Sequence, residues 1–344
     1  MGARSSRAEP QWARWDDQRL LDMRMCDLQL RMERPWLLRR IEQLRREMTA
    51  RKIRFRPRMW LSDEWFTPKE SPGIAIPFYL AHRRLVQLER AMMLEAEGES
   101  QAECMRILRH EAGHAIQFAY QLHRRRRWRE LFGSAAAPYP ETYQPRPYSR
   151  RYVLHIDNHY AQAHPDEDFA ETFAVWLTPG YNWRRRYAAW PALRKLEYVD
   201  ELMAEIAGEP PLRRPRRAID PISSMRLTLR EHYRQRQEGY GRSEADVYSR
   251  DLRKLFAGPE AGGMRATTLL RRRRRELLRI VSRWTGEYQY AINDVYTEML
   301  DGCERHDLRV PQEQPEERMV LEIAAMLTVQ TMQHLQMGGR RIRL

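Results

Sequence analysis

The sequence predicts an α+β protein in which a small mixed sheet accompanies several helices and a mostly helical region follows. Three observations predict this class. Apolar residues recur at helix-like spacing along most of the 344 residues. Residues 52–62 and 74–80 instead have strand-like patterns. Residues 225–344 contain strong helical periodicity, above all at 269–284 and 319–335, without strand-like segments.

The first 80 residues predict a helical segment and then two strands. Leucines and other apolar residues recur at helical intervals within residues 16–50, so residues 1–49 form our predicted N-terminal helical segment. Ile53 and Phe55 alternate with Arg54 and Arg56, as on a half-buried strand. Pro77 has no N–H for a neighbouring strand, which places residues 74–80 near the edge of the sheet.

The middle of the chain predicts three further helices within a domain that spans residues 50–207. They cover residues 100–127, 165–177 and 191–206, and a proline-rich loop at 133–149 follows the first of them. The short apolar segment 152–156 is compatible with another strand. Residues 208–224 are rich in proline and arginine and form our predicted linker to the helical region 225–344.

Composition limits the classes of protein that the chain can represent. It carries a net charge of +14, and with four lysines among 61 basic residues it has 61 − 4 = 57 arginines. So strong a preference for arginine indicates coding bias more than nucleic-acid binding. No apolar run is long enough for a membrane span. Three widely spaced cysteines do not suit a disulfide-bonded secreted protein, so we expect a cytoplasmic location.

The segment His110-Glu111-Ala112-Gly113-His114 is an HExxH motif within a helical pattern. Residues four apart share one face of a helix, so His110 and His114 can bind one zinc ion together. Glu111 lies about 100° around the helix and suits a general base acting on a metal-activated water. A surface helix could carry this motif by chance, but the apolar neighbours of these residues predict a buried helix.

A catalytic zinc needs a third protein ligand and one open position. Tyr120 stands six residues after His114, so the three-histidine form of the motif is absent. Glu167 and Glu171 share one face of the next helix. One of them could bind zinc while the other accepts a hydrogen bond from a zinc-bound histidine. Replacement of this glutamate ligand by a histidine at position 155, 159 or 164 is a further alternative.

The HEAGH motif followed by Glu-Asp-Phe-Ala-Glu at 167–171 resembles the gluzincin group of zinc metallopeptidases. The similarity is to lethal-factor-like, Mlc titration factor A-like and related bacterial zinc-binding metallopeptidases, over roughly residues 50–207. It implies a zincin-like catalytic domain with Glu167 as the third ligand and Glu171 as a carboxylate bound to a ligating histidine. It also implies that Tyr160 assists catalysis. Asp168 departs from the lethal-factor-like pattern, in which an aromatic residue is usual.

These residues predict a zinc-dependent peptidase that acts on peptides or proteins and binds one Zn²⁺ per chain. His110, His114 and Glu167 are the expected ligands, Glu111 and Tyr160 the expected catalytic residues. Two alternatives remain: a basic, nucleic-acid-associated protein with a zincin fold, and an inactive zincin scaffold for protein interactions. We expect no association with a membrane.

Overall fold

The computed structural model describes residues 9–140, 142–143, 146, 149–240, 249–311, 314–337 and 342–343. The chain divides into two compact units. Unit 1 comprises Met1–Ala137, Tyr148–Ile156 and His164–Arg236, and unit 2 comprises Pro138–Pro147, Asp157–Ala163 and Gln237–Leu344. The predicted domain boundaries stay predictions. Residues 1–8 of the predicted N-terminal segment lie outside the described residues.

Unit 1 begins with two separate helices where the sequence predicts one helical stretch. Helix α1 spans Asp17–Leu21 and helix α2 spans Pro35–Ala50. Pro35 at the first position of α2 fits a helix start, because proline lacks the N–H that would be unbonded there. The apolar face of α2 is buried through Leu37, Ile41 and Leu44.

A two-stranded parallel sheet follows, formed by β1 (Arg58–Ser62) and β2 (Gly73–Pro77). All five residues of β2 are buried. On the side away from β1, the Ala75 N–H donates to the Phe66 carbonyl at 2.9 Å. The segment around Phe66 therefore lies along the edge of β2 that does not pair with β1. The sequence predicted an edge position for this strand.

Among the remaining helices of unit 1, two contact each other closely. These two are α4 (Gln101–Ala119) and α6 (Pro165–Leu177). The others, in chain order, are α3 (Arg83–Met93), α5 (Arg126–Phe132), α7 (Trp183–Arg186), α8 (Leu193–Glu205) and α9 (Leu229–Tyr240). The boundary between the two units falls within α9, after Arg236.

The proline- and arginine-rich segment 208–224 is hydrogen-bonded to the rest of unit 1. The Trp60 indole N–H donates to the Ile219 carbonyl at 2.8 Å, and the Ser71 hydroxyl donates to the Arg217 carbonyl at 2.7 Å. These bonds hold the segment against the sheet region.

Unit 2 is mostly helical in the part that the structure describes. It contains α10 (Ser249–Leu255), α11 (Ala266–Thr285), α12 (Gln289–Arg305) and α13 (Glu316–Met337). A short antiparallel pair joins β3 (Thr142–Tyr143) to β4 (Ile342–Arg343). Helices with small sheets make the fold α+β, as predicted. Among the described helices, none has both the length and the apolar composition of a bilayer span.

Candidate metal centre

Helix α4 presents both histidines of the HExxH motif on one buried face. Its N-terminus is capped by the Ser100 hydroxyl, which accepts from the Glu103 N–H at 3.2 Å. Every residue from Ile107 to Ala119 is buried, so apolar burial holds the helix in place. His110 and His114 are only 3% and 7% exposed. Buried polar side chains of this kind require partners.

Helix α6 supplies those partners. Pro165 is at the first helical position, and the His164 ring caps the helix by accepting from the Asp166 N–H at 3.1 Å. Glu167 and Glu171 follow on the face that meets α4, and both are buried. The sequence predicted this shared face from their spacing.

A glycine brings the two helices together. A Cβ atom added to Gly113 would lie 2.8 Å from the Ala170 Cα, closer than side chains pack. Gly113 lies between the two histidines in sequence, and Ala170 lies between the two glutamates. The close approach therefore occurs where the four polar side chains meet.

Three candidate ligand atoms converge at this contact. The Nε2 atoms of His110 and His114 are 3.0 Å apart. Glu167 Oε2 is 3.0 Å from His110 Nε2 and 3.1 Å from His114 Nε2. The three residues form a buried group that could hold a metal ion. Glu171 lies outside this triangle.

Glu171 instead fixes the orientation of one histidine. Its Oε1 atom is 2.8 Å from His110 Nδ1, and its Oε2 atom accepts from the Ile156 N–H at 2.8 Å. An ionised carboxylate can only accept a hydrogen bond, so Nδ1 donates to Glu171 and Nε2 is the ring atom available to a metal ion. Nε2 is also the His110 atom that forms one corner of the triangle. Ile156, which donates to Glu171, lies in an irregular segment. The sequence had suggested a strand there.

The pKa shifts show that the histidines and carboxylates of this cluster stabilise each other's charged forms. Burial alone would lower the pKa of His110, but hydrogen bonds to Glu167 and Glu171 raise it well above its ordinary value. Burial would raise the pKa of Glu167, yet the adjacent histidines lower it well below the ordinary value. The pKa of Glu171 is lowered against the effect of burial by its hydrogen bond to His110.

The residues present fit a zinc ion. Imidazole nitrogen and carboxylate oxygen are both common zinc ligands, and bonds of about 2.0–2.1 Å in a tetrahedral site separate ligand atoms by about 3.3 Å. The separations of 3.0–3.1 Å in the triangle are close to this value. Three protein ligands leave a fourth position for water or substrate, which is typical of catalytic sites.

Glu111 is held beside the histidines by a residue that the sequence analysis did not identify. The Thr67 hydroxyl lies 2.9 Å from Glu111 Oε2 and 3.2 Å from the Glu111 carbonyl oxygen. Thr67 follows Phe66, the residue that is bonded to β2. A single threonine in a loop, 44 residues before its partner, has no pattern by which the sequence could reveal it.

A second polar group lies near the start of α6 and was also missed. Asp166 is fully buried, and its carboxylate accepts from Gln117 Nε2 at 2.5 Å. Lys69 Nζ lies 3.0 Å from the other carboxylate oxygen. Lys69 thus ties the loop that carries Thr67 to α6, while Gln117 ties α6 to α4.

Two of the three histidines that could have replaced Glu167 bind backbone groups of unit 1. His155 Nε2 donates to the Arg106 carbonyl at 3.0 Å, and His164 Nε2 donates to the Ala137 carbonyl at 2.9 Å. His159 and Tyr160 belong to unit 2, within a short 3₁₀ segment, Asp157–Gln162. There the Tyr160 ring packs edge-on against Tyr143.

Residues 86–179 match the sequence profile of a family described as "Putative zinc-binding metallo-peptidase". The matched region contains α4 and α6 with all three candidate ligands. This part of the chain is similar to a zinc metallopeptidase family. No curated protein and no solved structure matches the chain. The match supports a zinc-binding hydrolase of peptide bonds, whose substrates are peptides or proteins.

Proposed function

We propose that the chain is a zinc-dependent peptidase of the gluzincin type that binds one zinc ion through His110, His114 and Glu167. The observation that carries the proposal is the buried triangle of two imidazole nitrogens and one carboxylate oxygen. The family match over the same helices supports it. The zincin-like fold, and the closer likeness to lethal-factor-like and Mlc titration factor A-like peptidases, form part of this proposal.

Each residue of the site has its own role in hydrolysis. Zinc, when bound, lowers the pKa of water and polarises the scissile carbonyl group. Glu111 takes a proton from the attacking water and passes it to the leaving amine, and the Thr67 hydroxyl holds its carboxylate in place. Glu171 keeps His110 in the tautomer that can bind the metal. Tyr160 donates its phenolic proton to the developing oxyanion, a role that rests on the family resemblance.

Glu111→Gln tests the general base directly. The amide cannot accept a proton, so hydrolysis of a fluorogenic peptide library should fall by about 10²–10⁴-fold. Zinc content should stay at one ion per chain, because Glu111 is not a proposed ligand. Both quantities are measured on the full chain, by fluorescence and by elemental analysis.

Glu130→Gln is the matched control, since Glu130 is exposed and pairs with Arg126 on the surface. It should leave hydrolysis unchanged. Full activity in Glu111→Gln would exclude the mechanism above, and a zinc-loaded wild-type chain without activity on any peptide would exclude the proposed function.

A further inference from the structure

A cavity of about 340 Å³ lies in unit 1, lined by residues of α5, α6 and α8 and by Arg151 and Tyr152. Asp168 lines it from α6 and Lys195 from α8, and these two side chains form a buried ion pair. The neighbouring residue Glu167 contacts the histidines of α4 instead. The cavity is therefore separate from the candidate metal centre.

Cations predominate in the lining of this cavity. Arg129, Arg151, Arg194 and Lys195 contribute four positive charges, against Glu130 and Asp168. Glu130 is paired with an arginine outside the cavity, and Asp168 with Lys195. Within the described residues, the guanidinium groups of the three arginines make no hydrogen bond or ion pair. Guanidinium groups bind phosphate and carboxylate groups in bidentate fashion.

The start of α8 adds to the attraction for an anion. A helix N-terminus has a partial positive charge and is stabilised by acidic residues in its first turn. The first turn of α8 has none, and it carries Arg194 and Lys195 instead. Cations at this end of a helix are unfavourable unless an anion lies beside them. Asp168 supplies only one negative charge, which Lys195 already neutralises.

Asp168 indicates that a ligand of this cavity also carries a hydrogen-bond donor. Its Oδ2 atom accepts from Lys195 Nζ, but its buried Oδ1 atom has no hydrogen-bond partner among the described residues. A buried acceptor without a donor is unfavourable, because it has lost its hydrogen bonds to water and gained none in return. A hydroxyl group of a ligand in the cavity would supply the missing donor.

We propose that this cavity binds a small organic anion, a phosphate ester or a carboxylate, that also carries a hydroxyl group. Arg129, Arg151 and Arg194 bind its anionic group, and Asp168 Oδ1 accepts its hydroxyl hydrogen. A cavity of this size suits a small metabolite. The proposal is independent of peptidase activity.

Isothermal titration calorimetry on the zinc-loaded full chain tests the proposal with three probes: inorganic phosphate, glycerol 3-phosphate and malate. Sodium chloride at matched ionic strength serves as the reference. We expect one saturable site, and glycerol 3-phosphate binding at least tenfold more tightly than inorganic phosphate. Tighter binding of glycerol 3-phosphate than of malate identifies a phosphate ester, and the reverse order identifies a carboxylate.

Arg151→Gln and Arg194→Gln should each weaken binding of the better organic probe by about tenfold or more, as expected for a charged hydrogen bond. Arg185→Gln is the matched control, since Arg185 is also exposed but lies outside the cavity. No saturable binding of any probe, or equal binding by both cavity variants and the wild type, would overturn the proposal. Equal affinity for inorganic phosphate and glycerol 3-phosphate would overturn the assignment of Asp168.

Discussion

Glu167 and Glu171 are both buried on one face of α6, but their carboxylate oxygens contact different groups. Glu167 Oε2 lies within 3.1 Å of both histidine Nε2 atoms. Glu171 contacts the far nitrogen of His110 and a backbone N–H. The first geometry is that of a ligand, and the second is that of a residue that orients a ligand.

We expect Glu167→Ala to weaken zinc binding more than Glu171→Ala does. Loss of a hydrogen-bond partner behind a ligand costs about 10–100-fold in metal affinity, and loss of the ligand itself should cost more. Competition with a chromogenic chelator measures both affinities. Glu197→Ala, an exposed residue on α8, is the control and should match the wild type. The opposite order of the two variants would make Glu171 the ligand.

Single residues could be predicted only where their spacing carries information. The HExxH pattern predicts that His110 and His114 share a helical face, and the structure brings their Nε2 atoms together. The four-residue interval between Glu167 and Glu171 predicts a shared face, but not which one meets both histidines. Thr67 could not be predicted, because its contact with Glu111 depends on the path of a loop.

At the scale of elements, the sequence predicts the presence of a helix better than the residues at which it begins and ends. The arginine-rich stretch after Ala119 continues the helical pattern, yet α4 ends there because Gln121 adopts a left-handed backbone conformation with φ of 53°. A new helix, α5, starts at Arg126. Helix propensity alone does not place such a break, because arginine is a good helix former.

The α4–α6 contact depends on Gly113, so Gly113→Ala should separate the two helices. The added methyl group would meet the backbone of Ala170, which cannot rotate away as a side chain can. We expect a loss of about 1–3 kcal/mol in the free energy of unfolding. Zinc affinity should fall as well, because Glu167 moves away from the histidines. Urea unfolding and chelator competition measure the two effects.

Gly302→Ala is the matched control for this helical glycine. Its added methyl group would meet only the end of the Leu252 side chain, which can move. It should leave zinc affinity unchanged. If Gly113→Ala bound zinc as tightly as the wild type, the close approach of the helices would not determine the geometry of the site.

At the scale of the whole molecule, the chain has a net charge of +14. Several of its arginines bind acidic or amide side chains within the fold. In unit 2, Arg271 pairs with Glu304 at 3.1 Å and Arg273 with Glu316 at 2.8 Å. Arg274 donates to the Asn293 side chain at 2.6 Å. These contacts connect the arginine run 271–275 of α11 to the neighbouring helices α12 and α13.

One buried histidine should contribute strongly to the pH dependence of the stability of the chain. His232 of α9 is 6% exposed and packs edge-on against Phe78. Burial, with a smaller contribution from the positive charge of Arg236, lowers its pKa to about 3. The ordinary value in an unfolded chain is about 6.5. Between these values the unfolded chain binds a proton that the folded chain does not, so the free energy of unfolding falls as the pH decreases.

We expect His232→Phe to reduce the loss of stability in acid by about 3 kcal/mol between pH 6.5 and pH 4, at about 1.4 kcal/mol per pH unit. The phenyl ring keeps the contact with Phe78 and cannot bind a proton. Urea unfolding followed by tryptophan fluorescence at several pH values measures the difference from the wild type. An unchanged slope in His232→Phe would show that His232 is already protonated in the folded chain at these pH values.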